Sequence, residues 1–198
     1  MDEQVRQNDI ASALHAEIAA EGELIPSKFD QSAFQIPKYL GNLGRILNRH
    51  RVNDFRKGSA AEIDDGNGNA TFAELLVSDR LRTLGWDCVW YSAFGDKIIK
   101  SWPADAAEPQ CTHFPEATLK VLREISTTRQ ALIGAKKATF SGIPDVIAWR
   151  ENDLLMIECK HAKKDHVRRT QAEWFHCALR AGVMVNQLGI YEWKFKSS

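Results

Sequence analysis

Hydrophobic positions recur along the chain first at helical spacing and later in alternating runs, and this change of period organises it. Ile10, Leu14 and Ile18 share one face with Gly22 placed as a stop, which predicts a first helix. Leu40, Leu43, Ile46 and Leu47 share one side of Ile36 to Asn48, which predicts a second, although Gly41 and Gly44 lower its propensity. Gly58 to Ala70 is rich in Gly, Asn and Asp, residues that favour turns and left-handed backbone, and reads as a linker.

Beyond the linker, Phe72, Leu75, Leu76, Leu81 and Leu84 mark a helix that Gly85 can end, and Trp86 to Phe94 reads as a strand. Pro115 opens a helix to about Ile125. Ile143 to Trp149 and Leu154 to Cys159 read as adjacent strands joined by the polar turn Arg150, Glu151, Asn152, Asp153. A helix from Arg168 to Arg180 follows, and Gly182 precedes a last strand from Val183 to Ile190. The expected organisation is an N-terminal helical extension over residues 1–57, a linker over 58–70 and a core over 71–198.

Composition narrows the partners. The 198 residues suit one main core, and 26 basic residues cancel 26 acidic ones. No global field then draws the chain to a polyanion, so any such site must be a local patch. No apolar run approaches the roughly 20 residues of a membrane span, and the N-terminus MDEQVRQNDI lacks a signal pattern, so a soluble, cytoplasmic protein without a membrane partner is expected. Cys88, Cys111, Cys159 and Cys177 form no C-x-x-C pair, which leaves reduced thiols as the expectation. His113 near Cys111 and His176 beside Cys177 have no second pair at zinc-ligand spacing.

Candidate chemistry concentrates in the two adjacent strands. Glu158 and Lys160 are alternate residues and project to one face, and a hairpin brings Asp145 beside them. Two neighbouring carboxylates suit Mg²⁺, which takes one or two protein carboxylates and completes its shell with water and phosphate oxygens. Such a metal activates water and polarises a phosphodiester, while an ammonium neutralises the charge that builds on the phosphorane. Strand ends also carry Glu and Lys as ordinary cross-strand partners, so one residue alone would carry no such reading.

The string Gly142-Ile143-Pro144-Asp145, then Ile157-Glu158-Cys159-Lys160, then Gln171 and Trp174, then Gly182-Val183, resembles the PD-(D/E)-x-K nuclease superfamily and within it the VRR-NUC type. The likeness is close over about Ser141 to Trp193; His161 and Ala162 stand where that family often has Gly and Pro, and Lys160 to Gln171 is slightly longer. The resemblance implies an α/β fold with a restriction-endonuclease-like core, a mixed central β-sheet flanked by helices. It also implies Mg²⁺-dependent cleavage of DNA, with Mn²⁺ able to substitute. Asp145 and Glu158 are then metal ligands, Lys160 the catalytic cation and Gln171 a support from its helix. Glu74 is the fourth candidate, since the superfamily often supplies a carboxylate from the helix before the first core strand; Thr71-Phe72-Ala73-Glu74 equally fits a capping box.

Lys163, Lys164, His166, Arg168 and Arg169 form a basic run beside the site, suited to flanking phosphates, and cations at a helix N-terminus oppose its dipole. Lys136 and Lys137 extend it only weakly, since two exposed lysines before a strand need no function. Arg45, Arg49, His50, Arg51, Arg56 and Lys57 make a second basic cluster, read first as a solvated helix end and second as a phosphate contact. The leading expectation is a DNA endonuclease, structure-selective as in replication, repair or phage enzymes, with a homodimer left open. A restriction-type sequence-specific nuclease and a non-catalytic nucleic-acid-binding module on the same fold are the alternatives. Clustered carboxylates without a cation cost energy, which weighs against the last.

Overall fold

The computed structural model describes residues 19–25, 34–43, 46–51, 59–64, 70–92, 97–99, 108–109, 114–134, 141–162 and 165–195. Its strands are β1 (Ala19–Ile25), β2 (Phe34–Leu43), β3 (Ile46–Arg51), β4 (Ser59–Asp64), β5 (Ala70–Thr71), β6 (Asp87–Ser92), β7 (Lys97–Ile99), β8 (Glu108–Pro109), β9 (Val146–Arg150), β10 (Asp153–His161) and β11 (Leu188–Phe195). Its helices are α1 (Ala73–Thr83), α2 (Glu116–Ile133) and α3 (Arg169–Arg180). An eight-stranded sheet runs β1-β2-β11-β10-β9-β6-β7-β8, and β3-β4-β5 form a separate three-stranded sheet. The sheet is mixed, because β10 and β11 are parallel, as are β11 and β2, while β9 is antiparallel to β10 and β6. The class is α/β.

Alternation along β10 explains the layers. Leu154 and Met156 face a core with Trp174, Phe175 and Cys177 of α3 and Leu122 and Ile125 of α2. Leu155, Ile157 and Cys159 face the opposite core, with Ala73, Val77 and Leu81 of α1 and with Tyr191 and Trp193. Because side chains alternate across a strand, Glu158 and Lys160 fall on the α2–α3 side of the sheet. Both faces are buried, which is why β10 reads as a nearly continuous apolar run.

The core helices and strands from α1 onwards match the expected order. Helix α2 is longer than expected and ends at Gly134 in the left-handed conformation, φ 65°. The last strand starts at Leu188 rather than Val183, because Val185–Gln187 make a single 3₁₀ turn. Glu151, φ 54°, supplies the tight turn between β9 and β10.

The expected N-terminal helical extension is corrected. Residues 1–18 lie outside the described residues; Ala19–Ile25 is a strand, and Gly22 falls at the register irregularity between Ala20 and Glu23. Phe34–Leu43 is likewise a strand, paired with β11 from Ile190↔Lys38 to Phe195↔Leu43. The i+3 leucine spacing misled because Leu40 is exposed, while Ile36, Tyr39 and Gly41 are the buried positions. A Cβ on Gly41 would stand 1.8 Å from Tyr191 Oη, so the glycine makes room for a ring. Pro37, which has no N–H for the ladder, lies opposite the same β1 irregularity.

The linker over 58–70 is also corrected: Ser59–Asp64 pairs with β3, and only residues 65–69, outside the described set, keep the Gly/Asn/Asp character. Arg49, His50 and Arg51 lie on β3, so the helix-dipole reading of their cluster falls away, and Arg45, Arg56 and Lys57 lie outside the described residues. No helix among the described residues is long and apolar enough to cross a membrane.

Candidate active site

The β9–β10 hairpin assembles the site by register. Its last pair is Ile157↔Val146, so one step further Glu158 stands opposite Asp145. Asp145 lies one residue before β9 rather than inside it. Its main chain is nonetheless anchored, as its carbonyl accepts from Tyr91 N–H at 2.7 Å. Its carboxylate is fixed across the strand end, where Oδ2 accepts from the Cys159 N–H at 3.0 Å.

Glu158 is 1% exposed. Its Oε1 accepts from the Lys160 ammonium at 2.7 Å and from Gln171 Nε2. Its Oε2 is buried with no hydrogen-bond donor directed at it among the described residues. Burial, and then the Asp145 charge, push the Glu158 pKa well above the usual carboxylate range, against the pull of Lys160. Burial alone would lower the Lys160 pKa, but Glu158 and then Asp145 hold it above the ordinary lysine value. Lys160 also faces Asp165, with Nζ to Oδ2 3.6 Å.

Gln171 ties the site to α3. Its Oε1 accepts from the Arg168 N–H at 2.8 Å, closing the helix N-terminus, and this leaves its amide nitrogen for Glu158. Gly142 sets the approach of the other side. At φ 85° a Cβ there would stand 2.1 Å from the Thr170 carbonyl oxygen, so the loop carrying Asp145 abuts the first turn of α3.

The structure therefore brings together Asp145, Glu158, Lys160 and Gln171. Glu74 is buried on α1, and its charge reaches Cys159, whose pKa it raises after the larger effects of burial and Asp145. The capping-box alternative is corrected. Thr71 is paired in β5, so Phe72 is the N-cap without a side-chain cap bond, and Glu74 sits one position too early. Among the described residues no group of three or more His, Cys, Asp or Glu is placed to hold a metal.

Arg168 is exposed at the N-cap of α3. Arg169, expected to have a purpose other than helix stability, donates to Glu173 Oε1 at 2.8 Å, an i,i+4 pair that steadies the first turn. Lys163, Lys164, Lys136 and Lys137 lie outside the described residues. Sequence reasoning missed the role of Arg129, which is 6% exposed and lies 3.6 Å from Glu173, linking α2 to α3. An Arg in an otherwise amphipathic helix gives no signal of burial.

The donor set fits a hard divalent cation. Glu158 offers a buried oxygen without a donor, Asp145 a second carboxylate, and water and phosphate can complete an octahedral shell. Comparison of the chain with protein-family models, with curated proteins and with solved structures finds no match.

Proposed function

We propose that the chain is a divalent-metal-dependent endonuclease that hydrolyses DNA phosphodiester bonds, on a restriction-endonuclease-like core of the VRR-NUC kind. The observation that carries the reading is the convergence of Asp145, Glu158 and Lys160 at the open end of the β9–β10 hairpin, with Lys160 and Gln171 both bonded to Glu158 Oε1. A buried carboxylate facing a second one is costly without a cation between them, and Glu158 resists ionisation first through its burial and then through the Asp145 charge.

Asp145 and Glu158 are the residues that would hold Mg²⁺. Bound there, the ion supplies positive charge to the scissile phosphate and lowers the pKa of water. Lys160 works as a cation, not a base, because the adjacent carboxylates keep it protonated. It stabilises negative charge on a non-bridging phosphate oxygen or orients the attacking water. Gln171 fixes the Glu158 rotamer by its amide. The basic run at Lys163, Lys164, Arg168 and Arg169 supplies contacts to flanking phosphates.

The test is incubation of supercoiled, linear and branched DNA with Mg²⁺, Mn²⁺ or EDTA. Cutting with either metal and none in EDTA supports the reading, and preference for the branched form supports structure selectivity. Absence of cutting on every substrate in both metals contradicts it.

A further inference from the structure

Three carboxylates surround one ammonium at the end of β10, and the proposed chemistry uses two of them. The third, Asp165, has its Oδ2 3.6 Å from Lys160 Nζ, and its side chain is 38% exposed against 5% for that of Lys160. A tight local turn aims it back at the strand. Its N–H donates to the His161 carbonyl at 3.0 Å, and its Oδ1 accepts from the His166 N–H at 2.9 Å. Glu158 holds the same ammonium from the buried side at 2.7 Å. Asp165 therefore makes the longer contact, on the solvent side of a cation that is otherwise enclosed.

A phosphate oxygen reaching Lys160 from solvent needs the same solid angle. We propose that the Asp165 carboxylate occupies the seat of a non-bridging oxygen of the scissile phosphate, so that Asp165 competes with substrate for Lys160 and sets its affinity. This rests on the nuclease reading and adds a phosphate subsite and its internal competitor. The competition has a chemical use: it gives the enclosed ammonium a second carboxylate on its solvent side when no substrate is bound. Displacement is inexpensive, because the contact is long and its carboxylate lies at the solvent surface.

Asp165→Asn keeps an acceptor for the His166 N–H and removes only the charge, while Asp165→Glu keeps the charge. Affinity for a short fluorescent DNA oligonucleotide is read by anisotropy in Ca²⁺, and KM by cleavage in Mg²⁺. The proposal expects Asp165→Asn to tighten binding and lower KM by about two- to fivefold, the range of a weak ion pair. It expects Asp165→Glu to stay near wild type, and the gain to vanish when Lys160→Met is added. Unchanged affinity in Asp165→Asn, weakened binding, no binding by either protein, or a gain that survives Lys160→Met would overturn it. The two readings separate cleanly. Tighter, Lys160-dependent binding without any cutting by the wild type keeps the phosphate seat and removes the nuclease; cutting by the wild type with no gain in Asp165→Asn does the reverse.

Discussion

Glu158 Oε1 receives both Lys160 and Gln171, so two side chains from different elements depend on one oxygen. Removing the amide by Gln171→Ala frees the Glu158 carboxylate to rotate without touching the metal or phosphate directly. The expected outcome is a loss of about 10- to 100-fold in metal affinity or activity, as for other partners of metal ligands. Metal titration of cleavage rate checks it, with circular dichroism showing an intact fold. Gly142→Ala acts on the same junction by a different route. It places a methyl against the Thr170 carbonyl at a positive φ, so unfolding by urea should show a loss of about 1–3 kcal/mol. Asp145, Glu158 and Lys160 were legible in the sequence because alternation and hairpin pairing are local rules, whereas Gln171 came only from the resemblance. Asp165 and Arg129 were not, since their roles depend on where a turn and a second helix come to rest.

The β9–β10 hairpin and α3 behave as a unit whose charge state follows pH. The folded pKa of Glu158 is raised above its ordinary value of 4.5 by burial and by Asp145. Its contribution to stability without metal is therefore full below that value and is lost as pH rises through the raised one. A divalent cation binds the ionised form, so it restores what ionisation removes. The increment in Tm on adding Mg²⁺ should be negligible near pH 4.5 and grow with rising pH, and it should disappear in Asp145→Asn. Differential scanning calorimetry across that range checks it; an increment independent of pH would contradict the assignment of Glu158. At this scale the sequence was informative where both faces of a strand are buried and misleading where a strand mimics a helix. Leu40, Leu43 and Ile46 carry helical spacing, yet β2 is a strand paired with β1 and with β11, the latter roughly three quarters of the chain away.

Over the whole molecule, that pairing joins the N-terminal part to the sheet that carries the site. β11 lies between β10, which holds Glu158 and Lys160, and β2, and Lys38 of β2 bridges to Glu192 of β11 at 2.6 Å. Deleting residues 1–57 would expose the β11 edge and the space under Tyr191, so the shortened chain should lose its cooperative thermal transition and aggregate. A separable extension would instead leave the transition unchanged. The balance of 26 basic against 26 acidic residues leaves substrate attraction to local charge. The most direct measurement is single-turnover cleavage of one end-labelled DNA in Mg²⁺ by the wild type, Asp145→Asn and Lys160→Met. The account predicts cutting by the wild type and a loss of about 100-fold or more in each variant, the scale of removing one transition-state contact. Equal cutting by all three, or cutting by none while the wild type binds the DNA, would contradict it.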